Sequence, residues 1–325
     1  MQMEHRVKRY CDFNTYLTDI FGCRVQKITL DAGLSCPNRD GTLSTKGCIY
    51  CNPLGSGTGA HAKGLSITKQ LIDGKNALTR RYGAKKFIAY FQSFSNTYGP
   101  MEKLQRLYDE ALSVEDVVGL SIGTRPDCVS EPILMMLQQY AETHLIWIEY
   151  GLQSCNDKTL ALINRGHDFA CFKKAVKITK NRGIKICVHV ILGLPNEKRS
   201  EILQTAKVIA CLGIDGIKLH LLYVVKGTAL EKLYQDGSYT CLKQQEYVDL
   251  VCDFLELIPS DVVIQRLTGD PHIRELVAPA WSLKKGKTLS MINECLGKRD
   301  SWQGKFTALR ASCTERIDKL TSTGG

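Results

Sequence analysis

Cys36, Cys48 and Cys51 fall within one short stretch, SCPNRDGTLSTKGCIYCNPLGSGTG, with eleven residues between the first two and two between the last pair. The Cys48-x-x-Cys51 pair can place two thiolates on one metal or cluster. Cys36 can fold back to them through a segment containing Pro37, Gly41 and Gly47. Three ligands is the informative number. A structural zinc site usually closes with four, whereas a [4Fe–4S] cluster held by three cysteines leaves one iron open to a small molecule. Spacing alone leaves both chemistries open, zinc with His61 as fourth ligand or an iron–sulfur cluster. The Gly-rich stretch from Gly55 to Gly59 follows, where backbone can approach a ligand closely. The chain has 14 cysteines. Most of the others sit in apolar segments, such as Cys187 in IKICVHVIL and Cys211 in VIACLGI, and read as small buried hydrophobes.

The elements that must position these thiols recur along the chain. Short apolar runs at Lys27–Gly33, Lys85–Gln92, Val117–Arg125, Ile146–Gln153, Lys185–Pro195 and Gly216–Val224 suit strands buried on both faces. Helical patterns lie between them at Leu71–Tyr82, Met101–Leu112, Pro132–Glu142, Phe172–Arg182 and Glu201–Leu212. This alternation predicts an α/β fold with a parallel sheet, and six such units would make a partial (β/α)6 TIM-like barrel, open on one side. Gln244–Leu257 reads as a further helix and Val262–Gly269 as one more strand. The expected organisation is an N-terminal extension (1–26), a barrel core (27–225) and a basic C-terminal extension (226–325) closing the barrel. That extension carries Lys284, Lys285, Lys287, Lys298, Arg299, Lys305, Arg310, Arg316 and Lys319. In such folds the chemistry sits at the C-terminal ends of the strands.

Composition bounds the class. The 325 residues are 44% hydrophobic and 23% charged, as in an ordinary globular protein. No apolar run reaches the roughly 18 residues that span a bilayer, and the charged N-terminus has no secretory pattern, so the expected location is the cytoplasm. There, 14 cysteines point to metal binding or reactive thiols rather than disulfides. Lys plus Arg is 43 against 33 for Asp plus Glu, a formal net charge of +10. Such a surplus attracts polyanions, with nucleic acid the natural candidate.

The cysteine loop resembles the cluster loop of the radical S-adenosylmethionine (SAM) superfamily, with a longer first spacing than the usual C-x3-C-x2-C. Together with FQSFSNTYGP (91–100), SIGTRPDCV (121–129), IEYGLQS (148–154), NRGH (164–167), HVILGLPNE (189–197), GIKLHLLYVVKGT (216–228), RLTGD (266–270) and APAWSLKK (278–285), the chain resembles the YhcC/YtqA-like family. That family is related to the elongator catalytic subunit and to oxygen-independent coproporphyrinogen dehydrogenase. The resemblance implies a [4Fe–4S] cluster on Cys36, Cys48 and Cys51. Its open iron would chelate SAM, and the 5′-deoxyadenosyl radical that follows would abstract a hydrogen atom from substrate.

Further residues follow by position in these motifs. Tyr50 would pack near the adenine, and Gln92 and Ser93 would meet the methionine amino group, although this chain lacks the common Gly-Gly-Glu there. Thr124 lies in GTRPD, and Arg125 would pair with a carboxylate or phosphate. Gln153 and Arg165 resemble the pair that contacts SAM ribose and carboxylate. Glu149 would neutralise Arg165 or meet the ribose. His189 would donate to the ribose, Gly193 would let backbone pass near adenine, and Leu222 would flank it. His220, facing the same side as Lys218, and Lys284 join Arg125 as expected catalytic residues. Arg266, Asp270 and Trp281 would close the barrel and meet substrate.

The same resemblance suggests tRNA modification. The expected reaction converts 5-carboxymethylaminomethyl-uridine, often 2-thiolated, at the wobble position to 5-aminomethyl-uridine. Arg125, Arg266 or Lys284 would hold the carboxylate, the C-terminal lysines the anticodon-stem phosphates, and Trp281 or Tyr223 would stack on loop bases. A reductase such as flavodoxin or ferredoxin would supply electrons. The competing expectations are a radical SAM reaction on a porphyrin, peptide or metabolite, and a zinc-stabilised RNA-binding protein.

Overall fold

The computed structural model describes residues 8–53, 55 and 57–307. Arg310, Arg316, Lys319 and the Ser/Thr/Gly tail lie outside the described residues. Helix α1 (Phe13–Phe21) precedes β1 (Val25–Leu30). Alternation then runs α2 (Ile67–Tyr82), β2 (Lys86–Phe91), α3 (Met101–Leu112), β3 (Val117–Thr124), α4 (Glu131–Ala141) and β4 (Leu145–Gln153). It continues with α5 (Asp157–Leu162), α6 (Phe169–Thr179), β5 (Lys185–Leu192), α7 (Arg199–Cys211) and β6 (Gly216–Leu221). After these come β7 (Val224–Val225), α8 (Ala229–Gln235), α9 (Gln244–Leu257), β8 (Val263–Arg266), β9 (Leu276–Ala278) and α10 (Lys285–Lys298).

Seven strands form one sheet in the order β1-β2-β3-β4-β5-β6-β8, every neighbouring pair parallel. β2 to β6 are almost wholly buried because helices cover one face and the barrel interior the other. Polar side chains set the helix starts. Asp12 accepts from the Asn14 and Thr15 amides at α1, Ser66 from Lys69 at α2, and Asp168 from Cys171 at α6. β1 stops at Leu30, short of the expected Gly33. The Asp31 amide donates to the Gln70 side chain (2.9 Å), and Gly33 turns to φ +63°.

The sheet curls into a half-barrel. Lys27 of β1 crosses the interior to donate to Ser121 of β3 (2.8 Å), Glu149 of β4 (2.5 Å) and Gln265 of β8 (2.7 Å). The seventh strand, β8, is the one expected within 262–269, so the sheet draws on the stretch the sequence assigns to the C-terminal extension. The N-terminal stretch also contributes: α1 packs on β1 and β8, and Asp12 bridges Ile264. β7 and β9 pair antiparallel. This region reaches the cysteine loop, since the Leu230 amide donates to the Ile49 carbonyl (2.8 Å) and Asn52 Nδ2 to Glu275 (3.1 Å). Among the described residues no helix is long and apolar enough to cross a membrane.

Candidate active site

The loop between β1 and α2 and the C-terminal ends of the strands surround a cavity of about 650 Å³. Cys36, Cys48 and Cys51 all line it. The loop is pinned to the turn after α5. The Ile49 amide donates to the Ile163 carbonyl (3.1 Å), Asn38 Nδ2 to the Asn164 carbonyl (2.6 Å), and Asn164 Nδ2 to the Gly47 carbonyl (2.6 Å). Arg39 Nη2 donates to the carbonyls of Cys51 (2.6 Å) and Asn52 (2.7 Å). The sequence does not single out Arg39 for this role, although it sits inside the CPNRDGT motif.

Cys48 is 7% exposed. Burial by itself would push its thiol up. Arg165, whose Nη1 lies 3.5 Å from the Cys48 sulfur, overrides that and holds the thiol below its ordinary value. At Cys51 the balance goes the other way: burial, with Cys48 next in weight, pushes its thiol up against the pull of Arg39. Arg165 is itself held by the Gly151 carbonyl, through Nε (3.2 Å) and Nη2 (2.6 Å). Gly151 is required there, because a Cβ on it would lie 2.5 Å from Arg165 Nη2. Next along β4, Gln153 adopts φ +80°, a left-handed backbone rare for this residue type, at a break in the β4–β5 register. The break turns Gln153 toward the cavity, where its Oε1 is buried with no partner among the described residues.

Below the thiols lies a charged floor. Glu149, fully buried, accepts from Lys27 (2.5 Å) and from the His189 Nε2–H (2.7 Å), and also from Lys218 and Ser121. Burial alone would raise its carboxyl, but Lys218 and Lys27 hold it well below the usual range. Burial pushes Lys218 down to about 7 against the pull of Glu149, and pushes His189 down to about 4. His189 is therefore the neutral donor to Glu149 at pH 7. Burial, with Arg266 next in weight, pushes His220 well below its ordinary value, and its Nε2 has no partner among the described residues. The sequence signal for this floor is Lys27, a charge inside a strand whose neighbours Val25, Ile28 and Leu30 are buried.

The structure gathers most of the expected residues and disperses a few. Tyr50, Gln92, Thr124, Arg125, Glu149, Gln153, Arg165, His189, His220 and Leu222 line the cavity with the three cysteines. Ser93 is buried beside it without lining it. Gly193 faces a neighbouring cleft, where a Cβ would meet Leu242 at 3.0 Å and where its carbonyl accepts from Tyr239 (2.9 Å). Gly193 thus does not line the main cavity. Lys284 is exposed at the start of α10 and does not line the cavity. Arg125 is 2% exposed, with its fork bound to Asp127 (2.9 and 2.6 Å) and to the Arg165 carbonyl (2.7 Å). All three of its guanidinium nitrogens therefore have protein acceptors. Glu149 does not pair with Arg165, because its oxygens are taken by Lys27, Lys218, His189 and Ser121. Trp281 packs 5.6 Å from Tyr247 and donates to the Leu242 carbonyl (3.1 Å). Asn196 adopts φ +60°, a conformation that asparagine tolerates in place of glycine.

The residues fit a cluster better than a single ion. Among the described residues no three His, Cys, Asp or Glu side chains converge on one ion position. The His61 ring lies over Gly33, 2.2 Å from where a Cβ would stand, and does not line the cavity. A [4Fe–4S] cluster spreads its thiolates over separate irons and needs no such convergence.

A parallel half-barrel with three cysteines on the loop after its first strand suits an iron–sulfur enzyme, and residues 41–209 match the radical SAM superfamily, with residues 214–298 matching its C-terminal domain. The chain belongs to the radical SAM superfamily and is an enzyme whose cofactors are a [4Fe–4S] cluster and SAM. It is 43% identical over 299 residues to the uncharacterized protein YtqA of Bacillus subtilis, covering 92% of this chain and 93% of that one. The tRNA uridine(34) acetyltransferase of Dehalococcoides mccartyi is 30% identical over 156 residues, 47% of this chain and 33% of its own. The solved archaeal Elp3 of Methanocaldococcus infernus, lacking its N-terminus, shares the fold with a TM-score of 0.65. It is 17% identical and covers 86% of this chain and 64% of its own.

Proposed function

We propose that this enzyme acts in the cytoplasm on the wobble uridine of tRNA, converting 5-carboxymethylaminomethyl-uridine, 2-thiolated or not, to 5-aminomethyl-uridine. The observation that carries the reading is the similarity of the core to a relative named for uridine 34 of tRNA. Surface charge supports it. Lys284 and Lys287 are exposed, with no ion pair among the described residues. They flank Lys285, which pairs with the cavity-lining Asp270 (2.8 Å), so both stand beside the cavity mouth, where stem phosphates would lie.

The cofactor pair supplies a carbon radical able to take a hydrogen atom from the methylene between amine and carboxylate. Loss of one further electron to a one-electron acceptor, with the amine proton, would give an imine, which water would hydrolyse to the amine and glyoxylate. The chain's own part is positioning. Cys36, Cys48 and Cys51 would hold the cluster, Arg165 favours the Cys48 thiolate, and Gln153 offers an unused acceptor to a bound group. The floor around Glu149 fixes the strand ends. A flavodoxin or ferredoxin is the proposed electron donor.

Nucleoside mass spectrometry of total tRNA from a strain lacking the protein tests this. We expect carboxymethylaminomethyl-uridine to accumulate and aminomethyl products to disappear. An unchanged profile, in a strain with no second route to the aminomethyl base, refutes the tRNA reading. Binding gives a second check. Changing Lys284 and Lys287 to alanine should lower the slope of log affinity against log salt by about 2, at roughly 0.9 for each phosphate no longer neutralised. An equal slope removes both lysines from the interface.

A further inference from the structure

Four arginines line the cavity: Arg39, Arg125, Arg165 and Arg266. The first three are fully committed to protein acceptors. Arg39 holds the carbonyls of Cys51 and Asn52, Arg125 holds Asp127 and the Arg165 carbonyl, and Arg165 holds the Gly151 carbonyl and the Cys48 sulfur. The Arg266 guanidinium alone has no hydrogen-bond acceptor and no ion pair among the described residues. Half-buried and facing the cavity, this planar fork of donors is open to an acceptor that a ligand brings.

The acids nearby are already used. Glu149 is saturated by Lys27, Lys218, His189 and Ser121. Asp270 pairs with Lys285 (2.8 Å), and Glu275 accepts from Asn52 (3.1 Å). Lys27 and Lys218 share the single carboxylate of Glu149, which leaves no carboxylate for Arg266. Arg266 is the last residue of β8, in register with Lys218 of β6. Around it lie His220, Tyr223 and Tyr90. The buried His220 Nε2, still without a partner, adds another polar contact.

We infer that Arg266 is the residue that binds the substrate's carboxylate, taking both oxygens in its fork, with His220 and Tyr223 beside it. A guanidinium fork matches a carboxylate in two parallel hydrogen bonds. This choice singles out Arg266 from the basic residues that the sequence left equal, since Arg125 is committed and Lys284 stands outside the cavity. The inference deepens the tRNA reading and rests on it for the identity of the substrate. In that substrate the carboxylate is the group lost on conversion, so product would release Arg266.

The test compares two tRNAs that differ only at the wobble base, one with the carboxymethylaminomethyl group and one with the aminomethyl group. Binding is measured anaerobically on the cluster-loaded enzyme with saturating SAM. Wild type is expected to prefer the carboxylated tRNA by roughly tenfold or more. Arg266→Gln should lose that preference, and Arg266→Lys, keeping the charge without the fork, should retain part of it. A full preference in Arg266→Gln overturns the inference and leaves the tRNA reading standing. Should wild type itself show no preference, the tRNA reading falls, and a footprint then decides Arg266 alone. Phenylglyoxal modification of Arg266, read by peptide mass spectrometry, should be blocked by N-methylglycine and not by dimethylamine. No protection by N-methylglycine overturns the carboxylate site. Protection by SAM alone would assign the fork to the cofactor's own carboxylate and overturn it equally.

Discussion

Cys48→Ala removes the iron–sulfur chromophore and the activity together while the half-barrel stays folded. The thiol is buried and contributes to one edge of a loop that is otherwise held by Arg39, Asn38, Asn164 and the Ile49–Ile163 backbone bond. Truncating it to alanine therefore costs a small cavity, about 1–2 kcal/mol, against the loss of one of the three proposed cluster ligands. Iron content and visible absorbance after anaerobic reconstitution should fall to background, and turnover by at least about 10²-fold. Far-UV circular dichroism should remain that of wild type. A reconstituted variant with full iron and full turnover would show that Cys48 is not a ligand.

The second large effect is on stability. Glu149→Gln leaves Lys27 and Lys218 facing each other in the barrel interior without their carboxylate. Breaking a buried ion pair by removing one partner costs about 3–5 kcal/mol, which is a fall in Tm on the order of 10 °C for a chain of this size. Adding Lys218→Met should recover much of it, because the second uncompensated charge goes too. A double variant no more stable than Glu149→Gln would show that Lys218 is not the charge Glu149 balances. The pH dependence has a definite sign. A carboxyl held well below its unfolded value of about 4.3 contributes stability that is complete above that value and is lost as pH falls through the folded one. The gap between wild type and Glu149→Gln should therefore be widest near neutrality and close in acid. Thermal unfolding at a series of pH values reads both effects.

Much of this protein is set by local pattern. The apolar runs and helical periods place the strands and helices within a few residues, since burial on two faces or one stripe needs only neighbouring positions. The cysteine loop is equally legible, because ligand spacing lies within one segment. The motifs at the strand ends place Gln153, Arg165, His189 and His220 around one cavity for the same reason, as strands of a parallel sheet deliver their C-terminal ends to one side.

Partnership could not be read that way. Glu149 and Lys27 are separated by 122 positions, and Arg165 and Cys48 by 117. No spacing says which of several cations a buried carboxylate will meet. Arg125, Arg266 and Lys284 were equal in sequence as anion binders. The fold tied the first to Asp127, left the third on the surface, and gave the second a place in the cavity with no acceptor among the described residues. Sequence by itself determined the partial barrel, its alternating strands and helices, and the grouping of the three thiols. Tertiary structure decided which charges are already spent on one another and which remains for a ligand, because that depends on where the curl of the sheet brings distant strands together.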